Sequence, residues 1–362
     1  MRILVFLLVT LACSFVFAQK KELNLEAELV VDGIAVGWGM DWLPSGDLLI
    51  TERSGTLYLW DGQALNEIEG VPAVKSKGQG GLLDVKVHPD FNTNSWIYLS
   101  FSRPMTGGEA TTAVVRGELR GNKLVDIAEV FRAEPALSTN HHYGSRLVFD
   151  KDGYLYVSVG DRGKRDENPQ ALNNHCGKIH RINDDGSVPQ DNPFVGNPIA
   201  MQTIYSYGHR NPQGLAIHPE TGALWEHEHG PKGGDELNVI QPRKNYGWPV
   251  ISYGVNYSGT KFTELTAKEG MLQPEVYWVP SIAPSGMDFV TSDKYGALKG
   301  DLLIGSLKFG YLHRCDLEGG KVVKEEKFLE GIGRVRSVRQ GPDGFVYFTV
   351  EGKGVMRLIV QN

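Results

Sequence analysis

One phrase recurs along this chain: an apolar pair, a Pro or Asp, a turn with Gly, then an aromatic-rich run. DWLPSGDLLITER starts at Asp41, KVHPDFNTNSWIYLSF at Lys86 and LVFDKDGYLYVSVGD at Leu147. LAIHPETGALWEHEHG follows at Leu215, MDFVTSDKYGALKGDLLIGS at Met287 and VRQGPDGFVYFTVEG at Val338. The copies are irregularly spaced, on average about sixty residues apart. Each reads as a hairpin, and further strands show in GTLYLWDG after the first copy and GKIHRINDDG after the third. Radial repetition of small antiparallel sheets is the propeller plan. The expected fold is therefore all-β: a six-bladed β-propeller with four-stranded antiparallel blades. A sandwich or two stacked barrels would leave six copies of one phrase unexplained. No stretch beyond the N-terminal segment holds a helical period for more than two turns. The 44 Gly and 14 Tyr suit short strands and tight turns.

The first residues, MRILVFLLVTLACSFVFAQKK, carry Arg2, an apolar run and the small-residue end Val16-Phe17-Ala18. This reads as a signal peptide over 1–18, cleaved near Ala18, with a single propeller domain over 19–362 in the periplasm or outside the cell. The run is short for a membrane anchor and two lysines follow it. A lipid-modified Cys13 is the lesser alternative, because Thr10 stands where such a site usually has Leu. Export leaves Cys176 and Cys315, which read as two unpaired buried thiols although the compartment would permit a bond. A net charge of −6 argues against nucleic acid as a partner. No second long apolar run exists, so no membrane span is expected in the mature protein.

In NHHYGSRLVFDKDGYLYVSVGD (140–161) the Asp-Gly pair at 152–153 is a strong hairpin signal. Folding there places Asp161 opposite a residue between His142 and Gly144, on the same rim as His142. Other polar residues collect at strand ends. Gln79 sits in the glycine-rich GQGGLLDV, Arg210 and Asn211 precede a proline, and Asp235 and Glu236 follow a Gly-Pro turn. Lys308 follows a strand, and Arg334 and Arg336 share a face by alternation. Cations from neighbouring blades at one channel mouth, with Arg210 joining them, would hold a multiply charged anion; a solvated basic rim is the competing reading. His227 and His229 alternate on a strand, but no third zinc ligand is evident.

Together the motifs resemble one family, the soluble sugar dehydrogenases that use pyrroloquinoline quinone (PQQ). The resemblance runs from about residue 25 to the C-terminus. It is carried by GQGGLLDVKVHPDF, the His-x-Gly-Ser-Arg-Leu of 142–147, VGDRG, GKIHRINDDGSVPQDNPF, YGHRNPQGLA, EHGPKGGDELN, NYGWP, SLKFG and RVRSV, in order. The compact loops look more like the periplasmic aldose sugar dehydrogenase branch than the longer-looped soluble glucose dehydrogenases. The resemblance implies PQQ at the channel mouth, calcium, an aldose substrate oxidised at C1 to a lactone, and an external acceptor such as a cytochrome or a quinone.

By motif, the resemblance implies His142 as general base, Asp161 as its partner and Arg210 as a stabiliser of negative charge. His141 fits less well and is expected at the rim. Gln79, Arg210, Asn211, Tyr257, Ser281, Lys308, Arg334 and Arg336 are implied as cofactor contacts. The carbonyls of Gly230 and Pro231 would bind one calcium, and Glu236 with the carbonyl of Tyr246 a further one. Ser281 stands where some relatives have Thr and keeps a hydroxyl. Ser337 stands where the family often has Asp, which removes an expected partner of the arginine pair. Two other classes compete: a calcium-dependent lactonase or esterase propeller, which would lack the cation clamp, and a non-catalytic carbohydrate-binding propeller.

Overall fold

A computed structural model describes residues 24–361. The expected signal peptide and Cys13 lie outside the described residues. The chain forms six four-stranded antiparallel sheets. Blade one runs Gly37–Trp42, Leu48–Glu52, Leu57–Trp60 and Leu65–Ile68. Blade two runs Leu82–Val87, Trp96–Pro104, Ala110–Arg120 and Lys123–Arg132. Blade three is Leu147–Phe149, Leu155–Val159, Lys178–Ile182 and Ile204–Tyr207, and blade four Pro212–Ile217, Leu224–Glu228, Asp235–Ile240 and Val276–Trp278. Blade five is Pro284–Phe289, Leu302–Ser306, Tyr311–Glu318 and Lys321–Phe328. Blade six takes Val335–Gln340, Val346–Val350 and Gly354–Val360 from the C-terminus. Its fourth strand is Leu25–Val31 from the other end of the chain, paired from Leu25–Val360 inward. That pairing closes the ring and covers the edge that Gly354–Val360 would otherwise expose.

Each repeated phrase is the first strand of a blade, its turn and its second strand, so the six copies count the blades. The apolar residues of the first strands are packed between neighbouring sheets. Leu82, Val85 and Leu99 pack with Leu49 and Leu57 of blade one, and Val335, Val338 and Phe348 with Leu303 and Leu312 of blade five.

A second regularity lies inside the phrase. The first strands of five blades carry a register shift near their inner end. In three of these the shift or its neighbour is capped by a hydroxyl from the second strand. Gly39 N donates to Thr51 Oγ1 at 2.9 Å, Asp84 N to Ser100 Oγ at 2.8 Å and Ser337 N to Thr349 Oγ1 at 3.0 Å. In blade three Arg146 N donates likewise to Ser158 Oγ at 2.9 Å. Each hydroxyl then donates to the next blade: Ser100 to Ser145 O (2.6 Å), Ser158 to Pro212 O (3.1 Å), Thr349 to Gly37 O (2.6 Å) and Thr51 to Leu83 O. Between blades five and six Ser285 takes over and reaches Val335 O at 2.7 Å. Small hydroxyl side chains thus satisfy the groups freed by the bulges and stitch one blade to the next.

The channel is plugged by a buried ion pair. Asp84 Oδ1 accepts from Arg146 Nη1 at 3.0 Å and Asp84 Oδ2 from the Leu147 N–H at 2.9 Å. Arg146 Nε donates to Gln213 O at 3.0 Å, and its guanidinium lies 4.1 Å from the centre of the Trp38 ring. Arg339 approaches Asp84 Oδ2 at 3.8 Å. A Cβ on Gly39 would sit 2.5 Å from Asp84 Oδ1, so only glycine fits beside the carboxylate. Cys176 and Cys315 are free and buried, as expected. Among the described residues no helix is long and apolar enough to cross a membrane.

Removing one partner of a buried ion pair leaves the other charge uncompensated. Asp84→Ala is therefore expected to lower unfolding stability by about 3–5 kcal/mol, read as a drop in the urea midpoint. An unchanged midpoint would show that Arg146 does not depend on this carboxylate.

Candidate functional site

The hairpin of blade three pairs Leu147 with Val157 and Phe149 with Leu155, and it delivers His142 and Asp161 to one rim. His142 Nδ1 lies 2.7 Å from Asp161 Oδ1. The carboxylate is held by two further donors, and the main chain of Asp161 by a third bond. Gly163 N donates to Oδ1 at 2.7 Å, Trp248 Nε1 to Oδ2 at 2.9 Å, and the Asp161 N–H bonds Arg210 O at 2.7 Å. With Asp161 accepting, the proton of a neutral His142 sits on Nδ1 and Nε2 is left free as a base. The backbone at His142 is left-handed, with φ of 56°. Gln79 supports it: the His142 N–H donates to Gln79 Oε1 at 2.7 Å, while Gln79 N bonds Asn140 O at 2.8 Å. Gly78 makes this approach possible, because a Cβ there would lie 2.4 Å from Asn140 O.

Burial, then the charge of Arg210, lower the His142 pKa to about 4 against the pull of Asp161. Burial acts to raise the Asp161 pKa, but the bond and charge of His142, the charge of Arg210 and the Gly163 N–H together hold it below its ordinary value. The resting pair is thus a neutral imidazole on a carboxylate.

Arg210 is buried and fixed. Its Nη1 donates to His229 O at 2.8 Å and to Gly230 O at 2.7 Å, and its guanidinium lies 5.3 Å from the Trp248 ring centre. Glu228 receives the backbone N–H groups of Arg210 and of Asn211, the latter at 3.2 Å. Asn211 is fully buried behind Gly144, whose N–H it accepts at 3.2 Å. Its Nδ2 has no protein partner. It lines neither cavity described below.

Two cavities meet at the channel mouth. The smaller, about 390 Å³, is lined by His141, His142, Asp161, Arg165, Arg210, Trp248 and Asn256 among others. The larger, about 910 Å³, holds Ser281, Lys308, Arg334, Arg336, Gly230 and Pro231 in its wall. Gln79, Pro231 and Tyr257 belong to both walls. The larger wall contains Arg53, Lys232, Lys308, Arg334 and Arg336 but no carboxylate. Such a wall suits a ligand with several negative charges. The Ser281 hydroxyl is turned to Asp235.

The arginine pair is not left without a partner by Ser337. Glu351, from the turn after the second strand of blade six, accepts from Arg334 Nε at 2.7 Å and from Arg336 Nη2 at 3.0 Å. Arg334 also donates to Leu307 O at 3.0 Å. The expectation drawn from Ser337 is therefore corrected: a carboxylate reaching across from the neighbouring strand end does what an adjacent Asp would do. Burial lowers the Arg336 pKa despite Glu351. Arg53, Glu351 and Trp248 are the residues the motifs did not single out. Trp248 was legible as part of NYGWP; Arg53 and Glu351 sit in otherwise ordinary strand ends.

Glu236 and Tyr246 line neither cavity. They belong to a buried oxygen-rich nest in blade four. Glu226 and Glu236 are both pushed well up, by burial first and then by the charge of Glu228. Glu226 Oε1 and Asn238 Oδ1 are buried acceptors without a donor. His209 lies 3.3 Å from Glu228 Oε1 and stacks on Tyr246 with ring centres 4.7 Å apart. His229 Nε2 is engaged with Pro284 O at 2.6 Å, and His227 has no partner at either nitrogen.

The comparisons with known proteins agree with this geometry. The family model described as Glucose / Sorbosone dehydrogenase matches residues 34–359. Aldose sugar dehydrogenase YliI of Escherichia coli is 43% identical over 360 residues, which cover 96% of each chain. The solved apo-form of the soluble aldose sugar dehydrogenase from Escherichia coli is similar with a TM-score of 0.89 at 41% identity, covering 93% of this chain and 99% of that one. The PQQ-bound form of aldose sugar dehydrogenase from Streptomyces coelicolor gives a TM-score of 0.76 at 29% identity, with 93% and 99% covered. These matches run through all six blades and both cavities, and the chain belongs to the glucose/sorbosone dehydrogenase family.

Proposed function

We propose that this protein oxidises aldose sugars at C1 to aldonolactones, using PQQ and calcium and passing electrons to an external acceptor. The observation that carries the reading is the pairing of two cavities. One presents a neutral imidazole backed by a carboxylate, and the other a cationic wall with no carboxylate.

The larger cavity fits PQQ, which bears three carboxylates. Among the described residues Lys308 and Arg53 make no ion pair or side-chain hydrogen bond, Lys308 lying over the Phe309 ring, so both can meet ligand oxygens in the cavity. Lys308, Arg334 and Arg336 would hold the carboxylates, with Gln79, Tyr257 and Ser281 along the wall. Asn211, implied as a cofactor contact, lies buried behind Gly144, and its unpartnered Nδ2 is the donor it would offer to the quinone edge. Calcium suits the oxygen donors present. Gly230 and Pro231 would offer carbonyls at the cavity; Gly230 O already accepts from Arg210 but keeps a second lone pair. The nest of Glu226, Glu228, Glu236 and Asn238, with the carbonyl of Tyr246, would hold another ion and satisfy the two orphaned oxygens.

Bound PQQ would supply the two-electron acceptor for the hydride leaving C1. The chain's own part is to move and stabilise charge. His142 takes the proton of the anomeric hydroxyl, and Asp161 stabilises the imidazolium that results. Trp248 and Gly163 keep that carboxylate from turning away, and the Arg210 carbonyl anchors its main chain. Arg210, pinned by two carbonyls, offsets negative charge at the mouth between the cavities. The smaller cavity is open and only the reducing end need reach His142, so many aldoses are expected as substrates.

Purified protein without cofactor is expected to reduce a redox dye only when PQQ, calcium and an aldose are all added. No PQQ binding would overturn the reading and favour a lactonase or a binding propeller. His142→Ala should lower turnover by about 10²-fold or more with PQQ affinity kept; near-normal turnover would remove His142 from the role. Lys308→Ala should weaken PQQ affinity roughly tenfold, the worth of one charge-assisted hydrogen bond, measured by quenching of protein fluorescence. A base works unprotonated, so kcat/KM is present above the His142 pKa and lost as pH falls through it. With that pKa at about 4, the acid limb of the profile should lie near pH 4, and Arg210→Gln should move it upward. A limb near 6.5 would assign it to a different, unburied group.

A further inference from the structure

Blade five carries a second constellation, whose members line neither cavity. His313 and Cys315 are two apart on the strand Tyr311–Glu318 and share one face. Register sets Glu325, on the strand Lys321–Phe328, directly opposite Cys315. Residues at i, i+2 and the cross-strand position form a triangle, and a sheet can offer three ligands to one ion in this way. Here an imidazole, a thiol and a carboxylate each place a ligand atom within 4.8 Å of the other two. His313 and Cys315 are buried, while the Glu325 side chain is 37% exposed and leaves a path from solvent.

Packing alone does not account for the cluster. The imidazole uses one nitrogen, Nε2, on Glu325 at 2.6 Å; its Nδ1 is buried without a partner. Cys315 is a free thiol beside them. Trp278 Nε1, from blade four, donates to Glu325 Oε2 at 2.7 Å and orients the carboxylate from outside, as outer partners do at metal sites.

We propose that His313, Cys315 and Glu325 bind one zinc-type divalent transition-metal ion, with water from the Glu325 side as the fourth ligand. The donors set the class. Calcium wants oxygen alone, whereas a nitrogen, sulfur and oxygen set suits zinc and its substitutes. One proton, from the thiol, leaves for solvent as the ion binds, and the imidazole keeps its single proton. Thiolate, carboxylate and a divalent ion then sum to zero charge, which a largely buried site requires. Without the ion, burial holds the thiol protonated. The site clips the two outer strands of blade five together and is independent of the redox reading.

The test is a cobalt titration of the metal-free protein. One equivalent of Co²⁺ is expected to bring a near-ultraviolet thiolate-to-metal charge-transfer band, and Zn²⁺ to displace it. Cys315→Ser should abolish the band and Cys176→Ser, at the other buried thiol, should leave it. Glu325→Gln, at the exposed corner, should fold normally and bind about tenfold more weakly or worse. Cobalt in the carboxylate nest of blade four would give no thiolate band, so the two sites are told apart. Absence of the band in the wild type, or its survival in Cys315→Ser, would overturn the proposal. Should Cys315→Ser fail to fold, unchanged cobalt affinity in Glu325→Gln would overturn it equally.

Discussion

The Asp84–Arg146 pair is the contact on which the geometry of the channel mouth depends. It lies in a channel that six sheets enclose, and it touches most of them. Asp84 comes from blade two, Arg146 and the Leu147 N–H from blade three, Gln213 O from blade four and Arg339 from blade six. Trp38 and Gly39 press on it from blade one. Two buried charges with this many fixed neighbours do little for net stability compared with apolar packing, but they admit one arrangement of blades. The consequence reaches the site at once. Gly144, in the wall of the larger cavity, is two residues before Arg146. Gln213, whose carbonyl Arg146 uses, has its side-chain oxygen 3.4 Å from Arg336 Nη1. The plug and the clamp are one continuous polar network.

Above the plug, charge is sorted by sign. Cations without carboxylates face the larger cavity, and carboxylates are withdrawn behind it. Glu351 stands behind the arginine pair, Asp161 behind His142 and Glu228 behind the backbone of Arg210. Each carboxylate orients a donor without entering the wall of the larger cavity. Backbone strain concentrates at the same place. His142, Ser145 and Arg162 all have positive φ, at 56°, 78° and 56°. They are held by Gln79 Oε1 on the His142 N–H, by Ser158 O on the Ser145 N–H at 2.7 Å, and by Arg162 bonds to Ala110 O and His141 O at 2.9 and 3.1 Å. Non-glycine residues keep such conformations only where surrounding bonds over-determine them.

Much of this was legible before the fold. The repeated phrase counted the blades, and the Asp-Gly turn brought His142 to Asp161. What stayed hidden was whatever depends on the ring closing. Leu25–Val31 alternates charged and apolar residues and lacks the phrase, so nothing local marks it as the last strand of blade six. Arg53 and Glu351 are common residue types in common surroundings; Arg53 acquires meaning when blade one closes beside blade six, and Glu351 when the strands of blade six pair. Ser337 misled for the same reason. Its neighbour's partner was sought next to it in sequence, whereas the strand pairing of Ser337 with Thr349 brings Glu351 within reach instead.

The repeat also shows where chemistry has displaced architecture. The capping hydroxyl of the second strand is Thr51, Ser100, Ser158 and Thr349 in four blades. In blade four the matching place, paired with Gly214, is His227. On either side of it stand Glu226 and Glu228, where blade three has Val157 and Val159. A strand buried on both faces normally fills such positions with apolar side chains. Three ionisable residues in a row there are a local violation with a large desolvation cost. Hydrogen bonds offset part of it: Glu228 accepts the N–H groups of Arg210 and Asn211 and Glu226 accepts from Asn238, while the other Glu226 oxygen stays unsatisfied. Sequences break their own pattern where function demands it. Blade four breaks it at the strand that ends in His229, Gly230 and Pro231, the wall of the larger cavity.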